Sequence, residues 1–183
     1  MLLEAMCLAI AMWGEARGEP VTGMVAVAEV VLNRTNDRRW PDNVCDVVFE
    51  PHQFSGVTDR MVEKGRWTKL VPLAEGVLSA RGTAKSAKGV HFDATNFYAP
   101  KLLTKPPKWA RCMDVTAEIG GHIFLTDTGR GCLPEKHPDA PGTEVFPDPY
   151  EGGSYASFEE AATPTGSPAY NPGPVLHGPA EVG

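Results

Sequence analysis

The chain has 183 residues, of which 42% are hydrophobic, 22% charged and 8% aromatic, a composition that excludes a wholly disordered, collagen-like or coiled-coil protein. Its charge is split: residues 1–133 hold 16 of the 17 Lys and Arg and 15 of the 23 Asp and Glu and stay near +1, whereas residues 134–183 set one Lys against eight acids and stand near −7. A near-neutral body offers no basic face, so no nucleic-acid partner is expected.

Leu2 to Trp13 is rich in Ala, Leu and Met and has no β-branched cluster, which predicts a helix. It is apolar nearly all round, as a core helix is. Its longest apolar run, Ala5 to Trp13, is too short to cross a bilayer, which needs about 20 residues, so no membrane insertion is expected. Gly14 and Gly18 loosen its end. Pro20 stands where the first turn of a second helix would begin, and Val21, Met24, Val25, Ala28, Val31 and Leu32 form one face of that helix. Asn33 to Pro41 reads as a polar loop. Cys45 to Phe49 is a short apolar run of open type, and Pro51 to Gly56 has loop character.

Leu70 to Arg81 predicts a third helix, with Leu70, Leu73, Ala74, Val77 and Leu78 on one side. Val90 to Pro100 alternates weakly and suits a short strand or a binding loop. Val115 to Leu125 is a small apolar segment broken by Gly120 and Gly121. The fold class expected is α+β, mainly α-helical, with little room for a large sheet. Residues 134–183 hold 10 of the 17 prolines and seven of the 19 glycines. That composition predicts an acidic, mostly irregular tail after a single domain at 1–133. Ser157-Phe-Glu-Glu160 is the exception, a capping-box pattern that Tyr155 and Phe158 would dock on the body.

Four cysteines, Cys7, Cys45, Cys112 and Cys132, are too few for a disulfide scaffold and contain no CxxC. The simplest expectation is four free thiols and no structural zinc. No positive segment precedes the first apolar run, whose first following basic residue is Arg17. No secretory signal is therefore expected, and synthesis in a cytoplasm is.

The sharpest local feature is Trp13-Gly-Glu-Ala-Arg-Gly-Glu-Pro20. It sets Glu15 at the end of a buried apolar helix, next to Trp13. Burial raises a carboxyl pKa, and a carboxylic acid that keeps its proton near neutral pH can act as general acid on a glycosidic oxygen. The alternative is that Glu15 and Glu19 form a solvated pair around Arg17.

The octapeptide and the following Gly23-Met-Val-Ala-Val-Ala-Glu-Val-Val-Leu-Asn-Arg34 resemble the opening signature of the SleB/CwlJ-type cell-wall hydrolases. Trp40-Pro-Asp-Asn-Val-Cys45 and Val48-Phe-Glu-Pro-His-Gln-Phe-Ser55 resemble that family's central motif. Ala94-Thr-Asn-Phe-Tyr98, with Pro107-Lys-Trp-Ala110, resembles its substrate-loop region, and Ile119-Gly-Gly-His-Ile-Phe124 its closing motif. The resemblance covers about residues 1–125. It implies a lysozyme-like, lytic-transglycosylase-like fold and cleavage of peptidoglycan glycan strands between N-acetylmuramic acid and N-acetylglucosamine, with Glu15 as catalytic acid. It further implies a transglycosylase product, in which the muramic 6-hydroxyl closes onto the anomeric carbon. One carboxyl suffices for that, whereas hydrolysis wants two; Glu19, Asp59 and Asp93 are candidates for a second.

The sequence departs from the family where Asn96 replaces the usual His and Phe97 a frequent Tyr. The family's secretion signal and wall-binding repeats are missing from these 183 residues. That points to a phage endolysin or virion-associated lysin, made in the cytoplasm and acting on the wall after release. A monomer without cofactor or metal is expected.

Other residues carry two readings. Arg17 either orients Glu15 or Glu19 or caps a helix end. Gln53 and Ser55 either bind N-acetyl groups or pin a turn. Phe54, Tyr98 and Trp109 either stack on sugar rings or belong to the core. Trp13 reads as an apolar wall beside Glu15, and His122 as a packed or loop histidine. Three rivals remain. A cysteine peptidase would use Cys45 with His91 or His122. A zinc amidase would use His52, His91, His122 and Asp93, although no HExxH spacing exists. The third rival is a wall-binding protein without enzymatic activity.

Overall fold

The computed structural model describes residues 1–80, 92–129 and 131–132. The tail from Pro134, the docking of Tyr155 and Phe158, and His91 lie outside the described residues.

Helix α1, Leu2–Ala16, is the central element. Ala5, Leu8, Ala9, Ala11, Met12 and Ala16 are all fully enclosed. The small Ala side chains let neighbouring elements approach on several sides at once. Around α1 pack α2 (Val21–Thr35), α3 (Val44–Phe49), a 3-10 turn (Arg66–Leu70) and α5 (Val71–Ala80). Gly18, at φ +92, ends α1, because a left-handed residue there costs glycine nothing. Pro20 is the N-cap of α2.

Two short helices need side-chain caps to exist at all. Asn43 accepts the Asp46 amide at the start of α3. Thr58 accepts the Met61 amide at the start of α4, Asp59–Glu63. Helix α4 is missing from the sequence reading because five residues are too few to show a period. The loop expected over Asn33 to Pro41 begins late: Asn33, Arg34 and Thr35 continue α2. Thr35 bonds back to the Leu32 carbonyl within the helix, whereas Asn33 and Arg34 find partners across the chain. Asn33 Nδ2 donates to the carbonyls of Phe92 (3.1 Å) and Ala94 (2.9 Å), and Arg34 Nε to that of Thr95 (2.8 Å).

A three-stranded antiparallel sheet closes the domain, in the order β1 (Asn96–Tyr98), β3 (His122–Thr126), β2 (Asp114–Ile119). Gly120 and Gly121 form the two-residue turn between β2 and β3, with Gly120 at φ +60. The register pairs Phe97 with Phe124 and Asn96 with Leu125. Strand alternation then divides the neighbourhood of β1. Phe97 and Phe124 join the main core, whereas Tyr98 and Leu125 belong to a second small cluster with Ala110 and Met113. The expected mainly helical α+β architecture with a small sheet is the one observed.

The expectation of free thiols is overturned. Cys7 is bonded to Cys45 and Cys112 to Cys132, and no cysteine is free. The sequence carries no sign of this because 38 residues separate the first pair. Only the packing of α3 on α1 brings their Cα atoms to 5.2 Å, within disulfide reach. Closing a loop of that length stabilises by roughly 4 kcal/mol in the chain-entropy model. The variant Cys7→Ala/Cys45→Ala is therefore expected to lose about that much in non-reducing urea titrations. Maleimide labelling of all four cysteines in the unfolded, unreduced protein would contradict both bonds.

Candidate active site

Glu15 occupies the last turn of α1 with its side chain only partly exposed. The Gly56 amide donates to Glu15 Oε1 at 2.7 Å. That bond depends on two glycines touching backbone to backbone: a Cβ on Gly56 would stand 2.1 Å from the Gly14 carbonyl oxygen. The 51–57 loop thus lies directly on the end of α1. Burial pushes the Glu15 carboxyl up to about 7; the Gly56 hydrogen bond, then Arg34 and Arg17, oppose that rise. Glu15 therefore holds its proton in about half the molecules at neutral pH. It can give the proton to a leaving group and take one back, as a general acid and base must.

Arg34 lies at the centre of the site and was missed as a functional residue. It is only 1% exposed. Besides its bond to Thr95, its Nη1 donates to Gln53 Oε1 at 3.3 Å. Its guanidinium carbon is 5.2 Å from the Trp40 ring centroid and 5.0 Å from that of Phe54. A signal was available: Val27, Val30, Val31 and Arg34 fall on one helical face, all buried, so a cation stands where the period demands an apolar residue.

The other candidates separate. Gln53 and Phe54 join Glu15 through Arg34, and both serve Arg34 itself. Ser55 is exposed, one residue from Gly56. Arg17 adds positive charge near Glu15. Trp13 is a buried core residue with Lys69 Nζ 4.6 Å from its ring centroid. Phe97 is core, packed on Phe54, Phe124 and His122. Asn96 is buried and accepts from Thr95 Oγ1. Tyr98 and Trp109 meet edge to face at 6.1 Å in the second cluster.

Glu19 is a clamp on the hairpin. Its Oε2 accepts the Gly121 amide at 2.7 Å, and a Cβ on Gly120 would meet that oxygen at 2.1 Å. His122 is buried in the hairpin, where burial pulls its pKa down and Glu19 opposes the shift. Asp59 is exposed in the first turn of α4, and Asp93 accepts from Thr126 Oγ1 at 2.8 Å. Cys45, offered as a peptidase nucleophile, is corrected by its disulfide to Cys7: it has no thiolate to attack with. Among the described residues no three His, Cys, Asp or Glu are grouped to hold a metal ion.

Residues 18–125 match the family described as Cell Wall Hydrolase. The match begins just after Glu15 and includes Glu19, Arg34, Gln53 and Gly56. The spore cortex-lytic enzyme of Halalkalibacterium halodurans is 39% identical over 117 residues, which are 64% of this chain and 33% of that protein. The spore cortex-lytic enzyme of Bacillus subtilis is 37% identical over 123 residues, 64% of this chain and 35% of that protein. The chain thus spans about a third of the length of these relatives. Among solved structures, the catalytic domain of the germination-specific lytic transglycosylase SleB from Bacillus anthracis is similar, with a TM-score of 0.51 and 31% identity. The match covers 67% of this chain and 93% of that domain. The catalytic domain of Bacillus cereus SleB matches with a TM-score of 0.50 and 31% identity, covering 67% of this chain and 89% of that domain.

Proposed function

The chain belongs to the Cell Wall Hydrolase family, and from that premise we propose that it is a lytic transglycosylase that cleaves peptidoglycan strands between N-acetylmuramic acid and N-acetylglucosamine, with Glu15 as general acid and base. The observation that carries this reading is the Glu15 carboxyl, whose burial at the end of a core helix raises its pKa to about 7 against the opposing pull of the Gly56 amide, Arg34 and Arg17. Its likeness to a domain described as a lytic transglycosylase supports the reaction type.

The reaction needs one carboxyl. Protonated Glu15 gives its proton to the glycosidic oxygen as the bond from the muramic anomeric carbon breaks. The glucosamine end leaves as an alcohol. The muramic 6-hydroxyl then attacks the anomeric carbon and returns its proton to Glu15. No water is consumed, and the acid is regenerated. Arg34 and the Gly56 amide favour the carboxylate that exists between the two transfers.

The catalytic unit is residues 1–133, acting as a monomer; the family match at 18–125 supports that boundary. Two disulfides support a working place outside a reducing cytoplasm, at the cell wall. Mass spectrometry of digested peptidoglycan tests the product. Non-hydrolytic cleavage gives 1,6-anhydromuramic ends, lighter by one water than hydrolysed ends and resistant to borohydride. Reducible muramic ends would make the enzyme a muramidase-type hydrolase. Free amino groups with intact glycan would overturn the glycosidic reading.

A further inference from the structure

We propose that Arg34 is the positioning residue of this site: one buried guanidinium, fixed to the sheet and to the 51–57 loop, holds that loop against the end of α1 and sets a permanent positive charge beside the Glu15 carboxyl. The inference rests on Glu15 as the acid and adds what orients it.

A buried cation gives up its hydration, so its partners show what it is for. The hydrogen bonds of Arg34 run to Thr95 O and Gln53 Oε1, both neutral. The carboxylates facing it, Glu50 from the end of α3 and Glu15 from α1, act on it through charge. Among the described residues no carboxylate forms an ion pair with it, and its field reaches Glu15. Burial pulls Arg34 down to about 10, which still leaves it charged at neutral pH. Among the described residues, Arg34 from α2 and Arg17 from just beyond α1 act on Glu15 through charge, and the loop adds the Gly56 amide.

Geometry links the two tasks. Gln53, which Arg34 holds, lies three residues before Gly56, which donates to Glu15. Phe54, between them, lies against the guanidinium. The other end of the fork is fixed to Thr95, at the entry to β1. Helix α2 thereby ties the sheet and the loop to the reacting carboxyl through one side chain. A lysine cannot do the same, because an ammonium lacks the planar fork that reaches both oxygens.

The test is the titration of Glu15, followed by carboxyl carbon-13 NMR without substrate, together with kcat and KM across pH for Arg34→Gln, Arg34→Lys and Glu50→Gln. Arg34→Gln should raise the Glu15 midpoint by about one unit or more and lower kcat more than tenfold with a smaller change in KM. Glu50→Gln should move the midpoint the other way, because the guanidinium charge is then less offset. Arg34→Lys should keep a positive charge near Glu15 but release the loop and its Gly56 amide, so its midpoint should rise less than that of Arg34→Gln while kcat still falls. An unmoved midpoint in folded Arg34→Gln, or shifts of the same sign in Arg34→Gln and Glu50→Gln, would overturn the proposal. If Arg34→Gln does not fold, an unmoved midpoint in Glu50→Gln overturns it. Failure of the function reading looks different: Glu15→Gln would stay lytic while the midpoints still shift.

Discussion

Glu15→Gln should fold as the wild type does and lose about 10²- to 10⁴-fold in lytic rate, the range that general acid catalysis supplies. The amide keeps an oxygen for the Gly56 hydrogen bond but has no proton to give. The same substitution should stabilise the protein at alkaline pH. The folded-state pKa of Glu15, about 7, is raised above the ordinary carboxyl value of 4.5. The stability tied to that proton is therefore fully present below pH 4.5 and is lost as pH rises through 7. Wild type at pH 8 carries a buried carboxylate at a cost of up to about 3 kcal/mol, at 1.36 kcal/mol per unit; Glu15→Gln does not. Thermal melts at pH 8 should favour the variant, and the gap should close toward pH 4. Wild-type activity should fall on the alkaline side with a midpoint near 7. Lysis at wild-type rate by a folded Glu15→Gln protein would move the acid elsewhere, with Glu19 the next to test.

Gly56→Ala should be nearly as damaging to activity, although it removes no chemical group. The new methyl would stand 2.1 Å from the Gly14 carbonyl oxygen, 2.6 Å from its carbon and 3.2 Å from Glu15 Oε1. The first two atoms are backbone of a buried helix and cannot swing aside. The 51–57 loop must lift instead, and the Gly56 amide leaves Glu15. Overpacking costs about 1–3 kcal/mol, and the lost hydrogen bond to a charged group adds about 1.5–3. The expected outcome is a clear drop in urea midpoint, a fall in kcat of tenfold or more, and an alkaline limb moved upward. The last follows because the amide favours the charged carboxyl and is gone. Unchanged stability and pH profile in Gly56→Ala would show that the contact of the loop with α1 does not matter.

Much of the scaffold was legible locally. The Ala-, Leu- and Met-rich stretch from Leu2 could only be a core helix, and Pro20 and the period from Val21 gave the second. Gly120 and Gly121 between two apolar runs gave a break that the structure turns into a hairpin. These features depend on neighbours within a few residues, which sequence periodicity reports. The Gly-Glu-Ala-Arg-Gly-Glu pattern left Glu15 open between a buried acid and a solvated pair with Glu19, and the resemblance to the SleB/CwlJ-type family chose the first.

Tertiary contact decided the rest. Gly56 is 41 residues from Glu15, and Arg34 is 61 from Thr95. No local pattern links them, so the donor and the cation that surround the acid were invisible as partners. The cysteines read as free for the same reason: pairing is set by where α3 lands on α1. The aromatic candidates needed strand register as well. Adjacent residues on β1 point to opposite faces, which sends Phe97 into the main core and Tyr98 into the cluster with Leu125. The sequence, through its family motif, singled out Glu15 as the candidate to carry the proton. Only the packing of α2, the 51–57 loop and β1 around the end of α1 decided what tunes that residue, because burial and charge act through space and not along the chain.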